Sequence, residues 1–392
     1  MLRSREVAVR AGWLILLLFL PRLALAHSTQ PAVWQSLAAD AQGSVTVLLS
    51  EGLGLRRADG TWRFTCSARW RGPSSPMAVQ DAAGAIWGVG HEVVWRVDSQ
   101  GQAPHADPSG LDVTAVRGIA TSGPQTVVLT MADAGADVWT LATPPAPAQV
   151  LWHDPGPWTS LVADADGFWL AGARPTALAL AHLPLAGSVT TLELPLDPTL
   201  ANFTPRLRIS AGRRFAILSD GSNEFVGRID GGAWQPLGED PATILGPLQI
   251  AGAVYIAHGG AILRVDADAQ PITDASRYFT CLGEDSAGPY ACARTDLRTV
   301  GSDGVSGAIR FDIAWLTPPS LAGLAPEDTP TCWTEWQNFS RDAGLPEGVP
   351  AVDVAPPATT PQPRGCQTLP QPGLPTLWTL LVPLLLLWRK RV

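Results

Sequence analysis

Histidine, aspartate and glutamate are the side chains that would hold a metal ion or carry acid–base chemistry, and their spacing in this sequence predicts neither. The histidines of the body are scattered, with no His-x-His or His-x₃-His pair: His91, His105, His153, His182 and His258. Asp164-Ala-Asp-Gly167 and Asp266-Ala-Asp268 carry the acidic spacing that begins a calcium loop. Neither has the bidentate glutamate that completes such a loop, and aspartate before glycine is ordinary turn chemistry. We therefore predict no metal ion and no cofactor.

Nucleophile and phosphate-binding motifs are also absent from the sequence, which contains no Gly-x-Ser-x-Gly elbow, P-loop or His-Glu-x-x-His. We therefore assign no catalytic residue. Trp152 and Trp158 flank Pro155-Gly-Pro157 in a segment predicted as a loop, so they could offer an aromatic surface to a glycan or a protein. Packing in the core is the alternative that the sequence favours for both rings.

The elements that would position any site are strands marked by a recurring turn of the form Asp-x-x-Gly or a shorter variant. The turn glycines are Gly43, Gly84, Gly123, Gly167, Gly212, Gly252 and Gly288. Successive glycines are 36 to 45 residues apart. Each is followed by an apolar strand, and the seven strands are Val45–Leu49, Ala85–Val89, Thr126–Thr130, Phe168–Ala171, Phe215–Leu218, Val254–Ala257 and Tyr290–Ala293. Return strands, such as Val93–Val97, follow six of them.

A period of about 40 residues, made of strands without helices, is typical of β-propeller blades. Low charge (16%) with 38 Gly and 36 Pro agrees with an all-β fold. We therefore predict a β-propeller over residues 27–325 with seven blades, six or eight being the alternatives. Val33–Leu37 is predicted to return and close the ring, which would remove an open sheet edge.

The N-terminal end reads as a secretory signal peptide over residues 1–26. Arginines precede the short apolar run Trp13–Leu20, and Ala24-Leu-Ala26 forms an A-x-A cleavage site, so cleavage is expected after Ala26. The chain between its two basic ends holds 20 basic against 34 acidic residues. Such a body repels nucleic acid and anionic lipid, so we expect neither as a partner.

The C-terminal end predicts an anchor. Residues 326–372 are expected to form a short helix near Thr334–Ala343 and a Pro-rich stalk, and residues 373–392 an apolar helix with a basic end. The apolar run Leu374–Trp388 would reach only ~22 Å as a helix, against a hydrocarbon core of ~30 Å. It therefore predicts a marginal anchor whose terminal cations stay cytoplasmic and whose body lies outside.

This tail resembles the C-terminal sorting signals of exported myxobacterial proteins, in which a cysteine precedes the apolar run and an Arg-rich end follows it. Gly365-Cys366 matches the cysteine and Arg389–Arg391 the basic end. The resemblance implies processing or lipid attachment at Cys366 and display at the cell surface or outer membrane. A plain inner-membrane anchor is the alternative.

The remaining four cysteines are predicted to form disulfides, because the export signals place them in an oxidising compartment. Cys281 and Cys292 stand on either side of one turn on adjacent strands, which favours a cross-strand disulfide. The segment resembles a Cys-turn-Tyr-Ala-Cys element in exported myxobacterial propellers, followed in that family by a cysteine pair ending in Cys-Trp. Cys332-Trp333 matches the second member of that pair. The first member is missing, so the resemblance leaves Cys66 as the partner of Cys332.

The copy Asp81–Asp98 resembles propeller repeats of bacterial sensor ectodomains and lyases. Lyase-type propellers use a histidine near the central channel, and His258, at a predicted inner-strand end, is the best placed for that role. We expect an exported, surface-anchored, monomeric propeller that acts as a non-catalytic binding or structural module. Its partner would be an extracellular protein or glycan, and its membrane contact the C-terminal helix. A propeller lyase or hydrolase with its site at the channel mouth is the alternative.

Overall fold

The computed structural model of the 392-residue chain describes residues 32–40, 43–67, 77–89, 94–98, 111, 113–132, 135–141, 147–197, 200, 202–240, 243–258, 261–265, 272–273, 278–303, 306–321, 324 and 326–346. The predicted signal peptide with its cleavage after Ala26, the sorting residue Cys366 and the apolar helix of residues 373–392 lie outside the described residues. Within the described ranges, no helix is both long and apolar enough to cross a membrane.

The described chain forms seven sheets that follow one another in sequence, and each sheet is one blade. Blade 1 contains β1 (Val33–Asp40), β2 (Gly43–Leu49), β3 (Gly52–Arg56) and β4 (Trp62–Cys66). Blade 2 contains β5 (Ala78–Gln80), β6 (Ile86–Val89) and β7 (Val94–Val97). Blade 3 contains β8 (Val116–Ser122), β9 (Gln125–Ala132), β10 (Gly135–Leu141) and β11 (Gln149–Asp154). Blade 4 contains β12 (Trp158–Asp164), β13 (Gly167–Arg174), β14 (Ala177–Pro184) and β15 (Thr190–Pro195).

Blade 5 contains β16 (Thr204–Ser210), β17 (Arg213–Ser219), β18 (Glu224–Asp230) and β19 (Ala233–Asp240). Blade 6 contains β20 (Leu245–Ile250), β21 (Ala253–His258), β22 (Ala261–Arg264) and β23 (Ile272–Thr273). Blade 7 contains β24 (Phe279–Asp285), β25 (Gly288–Ala293), β26 (Asp296–Val300) and β27 (Ser306–Asp312). The strands of every blade pair antiparallel in chain order, and the first strand of each blade contacts the first strands of its two neighbours. The fold is therefore the predicted seven-bladed β-propeller.

The seven apolar runs predicted after the turn glycines are confirmed as strands, and each is the second strand of its blade. A second strand is paired on both edges and covered on both faces by neighbouring blades, so its burial is nearly continuous, as in Ile86–Val89 of β6. Six of the turn glycines have positive φ, for example Gly84 at 81° and Gly252 at 89°. Glycine adopts this conformation without steric cost, which explains why it marks the turns.

The ring closes by a different segment from the one predicted. Val33–Leu37 belongs to β1, the innermost strand of blade 1, and pairs with β2. Closure comes instead from β28 (Leu316–Thr317), which pairs in parallel with the outer strand β4 through Leu316↔Trp62 and Thr317↔Arg63. Because blade 1 already contains four N-terminal strands, the returning chain can only add to its outer edge.

The hydrophobic core consists, over the described residues, of seven clusters, each between two adjacent blades. The cluster between blades 3 and 4 is typical and includes Leu129, Trp158 and Phe168. The cluster between blades 7 and 1 is extended by the helix α1 (Asp328–Ala343). This arrangement buries both faces of every sheet, which is how a propeller replaces a single central core.

Helix α1 packs on the edge of blade 1 and begins six residues earlier than the predicted Thr334. Its Trp336 and Phe339 are both 1% exposed and lie 5.5 Å and 5.0 Å from the ring of Phe64. Glu335 of the helix accepts hydrogen bonds from both the amide and the hydroxyl of Ser67, each at 2.7 Å. The helix ends at Gly344 in a left-handed conformation.

Both predicted disulfides are confirmed. Cys281 and Cys292 are cross-strand partners on β24 and β25, with their Cα atoms 4.8 Å apart. Cys66 and Cys332 join the end of β4 to helix α1, with their Cα atoms 5.3 Å apart. The second disulfide fixes the helix beside the strand at which the ring closes.

Candidate functional site

The central channel is a concave feature that the described strands of several blades line. It holds a cavity of about 900 Å³ whose walls come from the first strands of six blades, β1, β5, β8, β12, β16 and β24. Successive residues of a first strand point toward the two neighbouring blades, as Leu161 and Val162 of β12 do, and the side chains of these strands that lie nearest the axis line the channel. The channel mouth is the place where a propeller brings residues from distant parts of the chain together.

Serine and threonine side chains join neighbouring first strands around the channel. Ser160 Oγ on β12 accepts a hydrogen bond from the amide of Leu207 on β16 at 2.8 Å. Ser210 Oγ accepts one from the amide of Gln249 on β20 at 2.8 Å. Ser122 donates to the carbonyl of Asp164 at 2.6 Å. These bonds hold the first strands at defined heights relative to one another, although the strands belong to separate sheets.

Arg206, on β16, is neutralised by a carboxylate of its own blade. Its Nη2 lies 2.6 Å from Oε2 of Glu224 on β18. Glu224 is 9% exposed, and the same oxygen accepts the amide of Ile244 at 2.6 Å. This charge-assisted pair therefore ties blade 5 to the start of blade 6, and it leaves Arg206 with little capacity for a ligand.

Arg208 stands two residues further along the same strand and has a different environment. Its side chain lines the channel and is reached by solvent there, and none of the described residues supplies it with a carboxylate or a hydrogen-bond acceptor. The surrounding protein lowers the pKa of Arg208 because it displaces water from the charged guanidinium, and the charge of Arg206 lowers it further. An arginine remains protonated under such conditions, so Arg208 is a fixed positive charge inside the channel.

Arg117, on β8, is the second channel arginine without a carboxylate partner among the described residues. Its Nη1 donates to the carbonyls of Val116 at 3.2 Å and of Thr114 at 3.4 Å. Neutral carbonyls orient the guanidinium but do not cancel its charge. Arg117 is exposed to the channel and lies on its wall together with Arg208.

The acidic side chains of the channel lie on β24, and one of them is structural. Asp285 accepts hydrogen bonds from Ser36 Oγ at 2.6 Å and from Arg310 Nη2 at 2.6 Å. The side chains of Asp285 and Arg310 are 8% and 4% exposed. This buried pair joins blade 7 to blade 1 through Ser36 and is occupied by its own partners.

Glu284 is the exposed carboxylate of the channel mouth. Its Oε2 accepts the hydroxyl of Ser210 at 3.2 Å and the amide of Ala211 at 3.3 Å. These bonds bridge blade 7 to the end of β16 across the mouth, on the side where blade 6 lies between them. Glu284 therefore places a negative charge near one end of the channel, while Arg208 and Arg117 place positive charges on its wall.

The predicted channel histidine is not at the channel. His258 is the last residue of β21, the second strand of blade 6, and it is not among the residues that line the cavity. His153 lies on the outer strand β11 and contacts Asp137 at 2.7 Å, while His182 on β14 stacks against Trp169. His258 lies one strand away from the channel, because β20 and not β21 is the innermost strand of blade 6.

The two tryptophans predicted as a possible aromatic surface are mainly packed. Trp158 is 2% exposed, belongs to the core between blades 3 and 4, and donates its indole N–H to Asp154 at 2.8 Å. Trp152 is half-buried and makes an edge contact with Trp158, with ring centroids 5.5 Å apart. Only Trp152 keeps an accessible face, because Trp158 begins the first strand β12 and points between blades.

Sequence reasoning did not identify Arg117, Arg208 or Glu284. The signal that could have found Arg208 is the alternation in Thr204-Pro-Arg-Leu-Arg-Ile-Ser210, where arginines alternate with apolar residues just before a turn glycine. Over the described ranges, no three His, Cys, Asp or Glu residues come together in an arrangement able to hold a metal ion.

No protein-family model matches this chain. The curated proteins also contain no match. Solved structures similar to the chain include virginiamycin B lyase from Staphylococcus aureus (12% identity, 63% of this chain and 87% of that chain, TM-score 0.43). A streptogramin B lyase structure is 14% identical, with 67% of this chain and 90% of that chain covered and a TM-score of 0.47. A protein from Lactobacillus plantarum is 13% identical, with 74% of this chain and 97% of that chain covered and a TM-score of 0.43. At these identities the similarity concerns the fold alone.

Proposed function

We propose that this protein is an exported, surface-anchored propeller that binds a small ligand in the mouth of its central channel and does not transform it. The observation that carries the proposal is the channel itself, a cavity of about 900 Å³ that is lined by six blades and contains charged side chains not used by the fold. Small-molecule sites are commonly concave, preformed and furnished with a few convergent polar groups.

Export is supported by the signal-like N-terminus and by the two disulfides. Disulfides persist in oxidising compartments and are rare in reducing ones. One of them closes a loop of 266 residues and joins helix α1 to the end of β4. Anchoring through residues 373–392 and processing at Cys366 remain part of the proposal, with an inner-membrane anchor as the alternative.

A binding role is favoured over a lyase or hydrolase role because the acidic side chains of the channel already have hydrogen-bond partners within the protein. An acid–base mechanism needs a base within hydrogen-bond reach of its substrate and, for nucleophilic catalysis, a nucleophile beside it. Among the described channel residues, Asp285 is held by Arg310, and Glu284 is bonded to Ser210 and Ala211. No described histidine lines the cavity.

The test is a thermal-shift screen of the full chain, purified from the cells that export it, against small metabolites that are neutral, cationic or anionic. Each stabilising compound is then incubated with the protein and recovered for mass spectrometry. A Gln35→Trp variant fills part of the channel from β1 and leaves the arginines in place. We expect at least one compound to stabilise the native chain, to be recovered unchanged, and to lose its effect in the Gln35→Trp variant.

Two outcomes would overturn the proposal. Turnover of the stabilising compound would assign the channel to an enzyme. Stabilisation that persists in Gln35→Trp would place the binding site elsewhere. Export has its own test, because intact cells that display the body should bind an antibody raised against residues 27–325, whereas intact cells that retain it inside should not.

A further inference from the structure

We infer that the channel contains a binding site for the carboxylate or phosphate group of a small anionic ligand, built on Arg208 with Arg117 as the second cation. This inference rests on the proposed binding function and specifies the chemistry that the channel recognises. Arginine suits such groups because its planar fork of N–H donors matches two oxygens of an oxyanion at once.

The first step of the argument is that the fold leaves Arg208 without compensation. The neighbouring Arg206 has Glu224 at 2.6 Å, and Arg310 has Asp285 at 2.6 Å, so both of these partly enclosed guanidiniums have their own carboxylates. Arg208 has none among the described residues, and its side chain lines the cavity where solvent reaches it. An anion that enters the channel therefore meets a guanidinium whose charge no carboxylate cancels.

The second step is that Arg117 lies at nearly the same height on the channel wall. The hydrogen bond from the Leu207 amide to Ser160 places residue 207 beside residue 160 of β12. On the other side of β12, a Cβ at Gly118 would lie 3.0 Å from the Cβ of Leu161, so residue 118 is beside residue 161. Arg117 and Arg208 are therefore separated by one strand and differ by about one residue in height, and both line the cavity.

The third step concerns the size of the ligand. The chain as a whole has a formal net charge of −8, so a long polyanion approaching the surface is repelled. Glu284 at the mouth adds to that repulsion. Among the described charges that line the cavity without a charged partner, Arg117 and Arg208 on the wall are positive and Glu284 at the mouth is negative, and walls of low dielectric constant concentrate the field of the two arginines. The arrangement selects a small anion that can enter the channel over a nucleic acid or an anionic membrane.

The probes are inorganic phosphate and acetate, titrated into the full chain by isothermal calorimetry in a fixed excess of sodium chloride. The variants are Arg208→Gln, Arg208→Lys and Arg117→Gln. The control is Arg213→Gln, because Arg213 is an exposed arginine at the start of β17 that does not line the channel. We expect saturable binding of at least one probe to the native chain and to Arg213→Gln. Arg208→Gln should weaken it at least tenfold, as expected for the loss of charge-assisted hydrogen bonds.

A second readout separates a ligand-binding arginine from a structural one. In buffer without either probe, Arg208→Gln should resist urea about as well as the native chain, since Arg208 is exposed to the channel and makes no hydrogen bond or ion pair with the described residues. Addition of phosphate should stabilise the native chain and leave Arg208→Gln unchanged. Arg208→Lys keeps the charge without the planar fork and should bind with intermediate affinity.

The inference is overturned if neither probe binds the native chain, if Arg208→Gln binds as tightly as Arg213→Gln, or if Arg208→Gln is destabilised without any effect on binding. These results are distinct from failure of the proposed function. A neutral compound whose binding is abolished by Gln35→Trp would sustain the channel as a binding site while the anion inference fails.

Discussion

Two arginines on strand β16 show how a single neighbouring residue decides the role of a side chain. Arg206 and Arg208 lie on the same side of the strand, yet only Arg206 meets a carboxylate, because Glu224 on β18 reaches it at 2.6 Å. The first arginine is thereby used to join blades and the second is left facing the channel. Tyr290 is a third residue whose role follows from its surroundings, since it is buried and its hydroxyl donates to the carbonyl of Ser36 at 3.3 Å.

Tyr290 predicts a loss of stability at alkaline pH. Burial raises the pKa of Tyr290 above its ordinary value near 10, and the charge of Asp285 raises it further. The folded state therefore favours the neutral phenol. This contribution is fully present below about pH 10 and is lost as the pH rises beyond that value towards the folded-state pKa, at up to about 1.4 kcal/mol per pH unit.

The measurement is the free energy of unfolding in urea between pH 8 and pH 11, compared with that of Tyr290→Phe. The variant should cost about 1 kcal/mol at pH 8 through the lost hydrogen bond and should decline less steeply above pH 10. Parallel curves for the two proteins would show that Tyr290 does not contribute to the alkaline transition.

At the scale of the element, a glycine on the second strand makes room for a tryptophan on the third. Gly88 on β6 is the cross-strand partner of Trp95 on β7. A Cβ placed at Gly88 would lie 2.0 Å from the Trp95 ring, which is 3% exposed in the core between blades 1 and 2. Gly227 has the same close approach to Trp234, at 2.2 Å. At both points the indole ring lies directly over the glycine, in space that a side chain would otherwise occupy.

This contact predicts that Gly88→Ala destabilises the protein by about 2 kcal/mol, because the indole must leave its position in a packed core. Gly238→Ala is the matched control, since a Cβ there would meet Val265 at 3.6 Å in ordinary van der Waals contact, and its effect should be within about 0.5 kcal/mol. Urea unfolding of the two variants decides the matter. Equal effects at the two glycines would contradict the proposed packing role of Trp95.

For the whole molecule, the closure of the ring depends on contacts between residues far apart in the chain. Blade 1 receives β28 on its outer edge, helix α1 against Phe64, and the disulfide between Cys66 and Cys332. The disulfide spans 266 residues, whereas the one between Cys281 and Cys292 spans 11. A longer loop loses more conformational freedom in the unfolded chain when it is cross-linked.

The two disulfides are therefore predicted to differ in their contribution to stability. Loop-entropy arithmetic assigns about 5.6 kcal/mol to the Cys66–Cys332 bond and about 2.8 kcal/mol to the Cys281–Cys292 bond. The test compares the double variants Cys66→Ala with Cys332→Ala and Cys281→Ala with Cys292→Ala in urea under non-reducing conditions. A larger loss from the shorter loop would contradict the entropic account and would indicate that local packing dominates.

The second strands were predictable and the first strands were not, for a physical reason. A second strand is covered on both faces, so it appears in the sequence as an apolar run that begins after a turn glycine, as in Val254–Ala257. A first strand borders the channel, so polar residues that line the channel interrupt its apolar pattern, as Arg206 and Arg208 do in β16. His258 was placed at the channel because these two kinds of strand were not distinguished.

The amino-acid sequence by itself predicted the repeated strands, seven blades with six or eight as alternatives, and the local disulfide between Cys281 and Cys292. The strands and this disulfide were accessible because each depends on residues close together in the chain. Only the tertiary structure decided which side chains meet at the axis. Arg117 and Arg208 are 91 positions apart in sequence, and they come to similar heights on the channel wall only because β12 packs between their strands. Their lack of carboxylate partners among the described residues is likewise a property of the assembled blades.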